Sequence, residues 1–199
     1  MFHRDPLALQ GQRIGLLGGS FDPPHAGHVH ITEWALCTFE LDAVWWVVSP
    51  GNPLKARGPA EMGRRLAACR AMIRHPRVEV TDIEARLGCR YTADTLERIA
   101  RRYPGTRFAW LMGADNLASF HRWERWDWVM GHFPIGVLAR PGEQLHAGLS
   151  PAARRFARWR LRQHEAARLA EGPTPRWALL TGAMSTESST AIRATGRWP

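Results

Sequence analysis

Gly18-Gly19-Ser20-Phe21-Asp22-Pro23-Pro24-His25-Ala26-Gly27-His28 opens with two glycines and closes on two histidines. Glycine lets backbone come close to a ligand. A helix beginning near Gly27 points its unpaired N–H groups and positive dipole end back into such a loop. On a helix start at this spacing His25 and His28 share a face. The chemistry available is an anion pocket with two imidazoles beside it. The run matches neither the dinucleotide fingerprint GxGxxG nor the phosphate loop GxxxxGK[ST]. Two plainer accounts stand beside this one. One is a glycine turn followed by a histidine-capped helix. The other is a metal site on His25, His28 and His30, which lacks a carboxylate at ligand spacing. A second candidate lies near the C-terminus. Ser188-Ser189-Thr190-Ala191-Ile192-Arg193 offers hydroxyls at a helix start and one guanidinium, the makings of a phosphate clamp or of an ordinary N-cap.

Both segments must be positioned by the elements before them. Ile14–Leu17 is an apolar run ending at the glycines. Gly27–Leu41, Ala60–Arg74, Thr92–Tyr103 and the arginine-rich Pro151–Ala170 have helical patterning, with Thr92 an N-cap candidate. Ala43–Ser49, Val78–Thr81, Phe108–Met112, Phe133–Ala139 and Trp177–Thr181 have strand patterning. Asp115–Met130 is expected as a broken helix and Ser188–Ala194 as a last helical turn or two. The alternation predicts an α/β fold with a doubly wound parallel sheet. Ligands in such sheets sit beyond the C-terminal strand ends, and both candidate segments follow strands.

The chain has 199 residues, and that length suits one domain over 1–199, with the clamp as a subregion at about 182–199. Ordinary apolar and charged content excludes disordered and low-complexity classes. No apolar run approaches the ~20 residues of a membrane span. Met1–Arg13 has no apolar stretch of the kind secretory signals carry, so none is expected. Three widely spaced cysteines, Cys37, Cys69 and Cys89, suggest neither a disulfide scaffold nor zinc, and a cytoplasmic setting follows. The net charge of +9 favours an anionic partner. Lys55 is the only lysine.

The eleven residues Gly18–His28 resemble the GG[ST]FDPxHxGH signature of the HxGH nucleotidyltransferase superfamily, with His25-Ala26-Gly27-His28 as the HxGH. Ser188–Arg193 resembles that superfamily's SSTxIR element. The resemblance implies a Rossmann-like fold and makes His25 and His28 phosphate-contacting catalytic residues. It implies ATP binding at Gly18, Gly19, Ser20, Phe21, Gly27, Ser189 and Thr190, with Arg193 holding the β- and γ-phosphates. Three further segments resemble the nicotinate-nucleotide adenylyltransferases within it: Tyr91-Thr92-Ala93-Asp94-Thr95-Leu96, Met112-Gly113-Ala114-Asp115-Asn116-Leu117, and Phe120-His121-Arg122-Trp123. Altogether the resemblance spans most of Ile14–Arg193.

That family's activity would make ATP and nicotinate mononucleotide the substrates. Nicotinate adenine dinucleotide and pyrophosphate would be the products. Trp123 would stack on the flat ring, and backbone N–H groups near Thr92 and Trp123 would take its carboxylate. Lys55 would sit on a loop that closes over the phosphates. Asp115 is either a helix N-cap or a ribose or loop contact. Mg²⁺ would bridge ATP oxygens with few or no protein ligands. Relatives often carry tyrosine after the tryptophan, where this chain has Glu124; a side chain facing the ring carboxylate would repel it.

Rival expectations are a sibling adenylyl- or cytidylyltransferase with another phosphate acceptor, an inactive nucleotide sensor, and a basic nucleic-acid-binding protein. The last rests on Arg154, Arg155, Arg158, Arg160 and Arg162 with Phe156 and Trp159 between them. Such a stretch is more often a solvated helix face. No membrane partner is expected, and an oligomer is compatible with the sequence.

Overall fold

The computed structural model describes residues 5–51, 58–139, 144–181, 189–196 and 198. In chain order the first half is β1 (Arg13–Gly19), α1 (Ala26–Thr38), β2 (Ala43–Val48), α2 (Met62–Met72), β3 (Val78–Thr81), α3 (Ile83–Arg86) and α4 (Thr92–Arg102). The second half is β4 (Arg107–Gly113), α5 (Ala114–Ser119), a 3-10 turn at Phe120–Arg122, α6 (Trp126–His132), β5 (Ile135–Ala139), α7 (Gln144–Gly148), α8 (Pro151–Arg155), β6 (Trp177–Thr181) and α9 (Ser189–Ala194).

The six strands form one parallel sheet in the order β3-β2-β1-β4-β5-β6. The chain builds outward from β1 in one direction, then returns to β1's other side with β4 and builds the opposite way. The switch between β1 and β4 opens a crevice at their C-terminal ends. Both sheet faces are covered, so the strands are apolar almost throughout. Alternate residues divide between two cores. Leu16, Trp45, Val47, Trp110 and Val137 face a layer containing α4, α5 and α6. Leu17, Val44, Trp46, Leu111 and Leu138 face α1 and α2.

The predicted helix over Pro151–Ala170 is not one helix. α8 stops at Arg155, and 3-10 turns follow at Ala157–Trp159 and Gln163–Arg168. The sheet competes for this backbone and wins. The Trp177 indole donates to the Phe156 carbonyl at 2.8 Å. Arg160 bridges Trp177 in parallel fashion, and the Leu161 N–H bonds the Trp177 carbonyl at 2.8 Å. The five arginines of the segment therefore do not share a helix face. Phe156 is buried, and the Arg158 guanidinium lies 3.9 Å from the centroid of the Trp159 ring.

The predicted N-cap Thr92 is instead the first helical residue. Tyr91 holds the cap position, because its carbonyl accepts the first intrahelical bond, from the Thr95 N–H at 3.1 Å. Among the described residues no helix is long and apolar enough to cross a membrane. Cys37, Cys69 and Cys89 are free thiols, with Cys37 exposed.

Candidate active site

A cleft of about 610 Å³ lies over the β1/β4 switch. At one end it is lined by Gly18, Gly19, Ser20, Phe21, His25, Gly27 and His28 from the first loop and helix. Ser189 and Thr190 line it too, and Thr92, Asp115 and Trp123 lie further along. Every expected site residue that the structure describes lines this cleft except Arg193. Lys55 falls outside the described residues, as do Ser188 and the rest of 182–188.

The histidines cap α1 and face the cleft at once. His25 occupies the N-cap, and its Nδ1 accepts the Gly27 N–H at 3.1 Å. In return His28 Nδ1 accepts the His25 N–H at 3.2 Å. The plain capping account is thus borne out, and it leaves the remaining ring nitrogen of each histidine uncommitted by the cap. An Nδ1 that accepts must carry no proton, so the neutral ring carries it on Nε2. Both imidazoles are thereby set up as Nε2–H donors. Their centroids are 4.0 Å apart. Burial, with a smaller contribution from the neighbouring His25, pushes His28 down to about 3, so His28 is neutral at physiological pH. Thr32 fixes this turn from below, donating to the His28 carbonyl at 2.8 Å while accepting the Trp46 indole N–H at 2.7 Å. Phe21 has a left-handed backbone (φ 47°). Its buried ring stacks on Trp46 at 5.0 Å and tilts against His28 at 4.6 Å, which offsets the backbone cost. Among the described residues no three His, Cys, Asp or Glu side chains converge as a metal site, and His30 does not join the pair.

The two glycines have different reasons. A Cβ on Gly18 would run into Cη2 of Trp110 and lie 2.7 Å from its Cζ2. A Cβ on Gly19 would make only ordinary contact with the Phe21 ring, at 3.4 Å. Trp110 is buried and cannot step aside. Gly18→Ala should therefore lower stability by about 1–3 kcal/mol through overpacking. Trp110→Phe in the same chain should recover most of that loss. Thermal melts of the single and double variants check this; equal melting temperatures for wild type and Gly18→Ala would contradict the packing account.

The C-terminal segment docks on the first loop. The Ser189 hydroxyl donates to the Pro23 carbonyl at 2.8 Å. Arg193 bonds the Asp22 carbonyl, lies 3.7 Å from the Asp22 carboxylate and reaches Thr190 Oγ1 at 3.3 Å. The Trp198 indole donates to the same carboxylate at 2.7 Å. Arg193 is thus turned to Asp22 rather than into the cleft. Asp115 is not the N-cap of α5; Gly113 is. The exposed Asp115 carboxylate folds back until its Oδ1 lies 2.5 Å from where a Gly113 Cβ would stand.

At the far end Trp123 is held edge-on by Phe120 (5.0 Å) and Trp110 (6.4 Å). Glu124 does line the cleft, and so do Arg90 and Arg122. The next residue, Arg125, has a left-handed backbone (φ 53°) and reaches both Asp94 and Glu97 of α4 at 3.2 Å. It ties the Trp123 loop to the helix that begins at Thr92. Sequence reasoning missed Glu84, Trp110, Arg90 and Arg122 as cleft residues, and Arg65 as the anchor beneath it. Arg65 is almost wholly buried and donates to the carbonyls of Ser20 (2.7 Å), Ser49 (2.8 Å) and Ala60 (2.7 Å).

Residues 16–195 match the cytidylyltransferase-like family, which places this sheet and its histidine-lined cleft among the nucleotidyltransferases. A probable nicotinate-nucleotide adenylyltransferase of Cereibacter sphaeroides is 63% identical over 185 residues, covering 93% of this chain and 98% of the relative. Another, of Ruegeria pomeroyi, is 57% identical over 193 residues, covering 97% and 91%. The chain belongs to the nicotinate-nucleotide adenylyltransferase family. In fold it is similar to the Plasmodium falciparum nicotinic acid mononucleotide adenylyltransferase complexed with NaAD. The TM-score is 0.69 at 16% identity, over 92% of this chain and 83% of that one.

Proposed function

We propose that this chain transfers the adenylyl group of ATP to nicotinate mononucleotide, giving nicotinate adenine dinucleotide and pyrophosphate, in the cytoplasm. One observation carries the reading: a single cleft runs from the His25–His28 pair to Thr92 and Trp123. It joins a phosphate end to a flat-ring end.

ATP lies with its triphosphate over Gly18–Ser20 and the start of α1. The acceptor's 5′-phosphate oxygen attacks the α-phosphorus in line, forming the new P–O bond as the bond to pyrophosphate breaks. The attacking group is already an anion, so no protein nucleophile or base is required. Catalysis is positioning and charge stabilisation. His25 and His28 donate their Nε2–H groups to phosphate oxygens. Ser189 and Thr190 lie beside the triphosphate, and Lys55 and Arg193 are assigned to the departing pyrophosphate. For Arg193 this requires exchanging its Asp22 partner for phosphate. The unpaired N–H groups of the first turn of α4, at Thr92, suit the ring carboxylate, with Trp123 against the ring.

The cleft lining presents imidazole nitrogens and hydroxyls together with the carboxyl groups of Glu84, Asp115 and Glu124, and among the described residues no three acidic or imidazole groups converge as a metal site. That donor set suits a Mg²⁺ ion carried mainly on the nucleotide's own oxygens and water. When bound, it neutralises phosphate charge. Free thiols including the exposed Cys37 fit a reducing compartment.

The test is pyrophosphate release from Mg-ATP with nicotinate mononucleotide, nicotinamide mononucleotide or phosphopantetheine. Fastest turnover with the first is expected. Turnover with phosphopantetheine alone would overturn the acceptor, and none with any would overturn the reaction.

A further inference from the structure

α9 is a helix of six residues that buries none of its side chains. Apolar packing therefore contributes little to its place on the first loop, and polar bonds carry the docking. Two of its residues, Ser189 and Thr190, line the cleft. The side-chain contacts of the C-terminal segment with the first loop converge on two positions. Ser189 donates to the Pro23 carbonyl, while Arg193 and Trp198 both reach Asp22. The Asp22 carboxylate is buried. Its Oδ1 accepts two N–H groups, the Trp198 indole at 2.7 Å and the Ala60 backbone at 3.3 Å. Its Oδ2 lies 3.7 Å from Arg193. Neither Asp22 nor Trp198 is among the described residues that line the cleft.

The platform under this carboxylate is fixed without help from the C-terminal segment. The carbonyls of Ser20 and Ala60 both accept from the buried Arg65, each at 2.7 Å. Asp22 is thus a stationary acceptor, and the C-terminal segment is the movable partner. Trp198 is also held from α2, where the Arg64 guanidinium lies 4.4 Å from the centroid of its ring. The two ties to Asp22 differ in how a triphosphate acts on them. Arg193 is a cation, and phosphate oxygens compete with a carboxylate for it. The Trp198 indole is a neutral donor with no acceptor capacity to change and no charge for phosphate to attract. Its bond to Asp22 survives when Arg193 is drawn away.

Resting on the proposed function, we propose that Trp198 is a positioning residue for ATP: its indole bond to Asp22 keeps α9 docked on the first loop, so that Ser189 and Thr190 stay at the triphosphate while Arg193 exchanges Asp22 for phosphate. Without that bond, the exchange at Arg193 costs the segment its remaining side-chain tie to Asp22, and a smaller fraction of the enzyme has α9 in place. The apparent affinity for ATP falls by that fraction. The acceptor end, at Thr92 and Trp123, is built from other elements and is left as it was.

The experiment uses Trp198→Phe, which keeps a ring beneath Arg64 and removes only the N–H donor. Pyrophosphate release gives KM for ATP, KM for nicotinate mononucleotide and kcat, and calorimetry gives Kd for a non-hydrolysable ATP analogue. KM for ATP and Kd for the analogue should both rise about three- to tenfold, the range for one half-buried hydrogen bond to a carboxylate. KM for the acceptor, and kcat at saturating ATP, should stay within about twofold. In an Asp22→Ala background Trp198→Phe should add less than about twofold, since the acceptor of its bond is gone. An unchanged KM for ATP, an equal rise for both substrates, or the full effect in the Asp22→Ala background overturns the inference while leaving turnover intact. Absence of pyrophosphate release with every acceptor in the wild type overturns the functional reading instead. The analogue's Kd then still decides whether Trp198 positions a nucleotide site. Should Asp22→Ala not fold, the split between the two substrates in Trp198→Phe alone decides.

Discussion

His28→Ala should lose about 10²–10³-fold in kcat, the usual cost of removing one preorganised donor to a developing charge. The structure explains why the loss should fall on the chemical step. His28 presents its Nε2 proton because its Nδ1 is committed to the His25 N–H at 3.2 Å. The ring is held at no further cost when the phosphate arrives. The same bond predicts a modest loss of stability, about 1 kcal/mol, since the N-cap backbone loses its partner. His28→Asn, with a side-chain oxygen near the Nδ1 position, should restore most of the stability but little of the rate. His28 titrates near 3, so lowering the pH from 8 to 6 should not switch it to the imidazolium form in the free enzyme. Any pH dependence of kcat/KM in that range must come from other groups, the acceptor phosphate among them. Pyrophosphate release and thermal melts on the three proteins check this. Near-wild-type kcat in His28→Ala would remove His28 from the mechanism.

The sheet was the most legible part of the chain, for a physical reason. Strands such as Ala43–Val48 are covered on both faces and read as unbroken apolar runs. Val78–Thr81 and Trp177–Thr181 fall where the sequence puts them. The first loop was legible in part: histidine at a helix start reads as a cap, which His25 is, whereas the ring that makes Gly18 necessary is Trp110 of β4, which leaves no local trace. What failed was long-range competition. Pro151–Ala170 has good helical propensity, and nothing local announces that Trp177 will take its backbone for the sheet edge. Thr92 is a good cap by type, yet Tyr91 holds the position. Glu84 sits in a four-residue helix with no periodic signal.

Arg65 is the clearest case of a residue whose type misleads, and its replacement should have the largest effect on stability. In sequence it is one of the paired arginines of α2, Arg64-Arg65, and arginine on an amphipathic helix is ordinarily solvated. In the fold only 1% of it is exposed, and it donates to three carbonyls from three segments: Ser20 after β1, Ser49 after β2 and Ala60 before α2. Two of those segments, at Ser20 and Ser49, line the cleft. The guanidinium fork suits this task because its donors lie in one rigid plane. Arg65→Met keeps much of the volume and removes every donor, leaving buried carbonyls unsatisfied. A loss of about 3–5 kcal/mol is expected, or a drop in Tm of about 10 °C for a chain of this size. Arg65→Lys should fall between, because one ammonium cannot satisfy three carbonyls in that geometry. Below the melting temperature the surviving folded enzyme should show a raised KM for ATP, as the Ser20 backbone loses its tether, with a smaller change for the acceptor. A Tm for Arg65→Met within about 2 °C of wild type, which corresponds to under about 1 kcal/mol, would mean that water or neighbouring groups replace the three bonds.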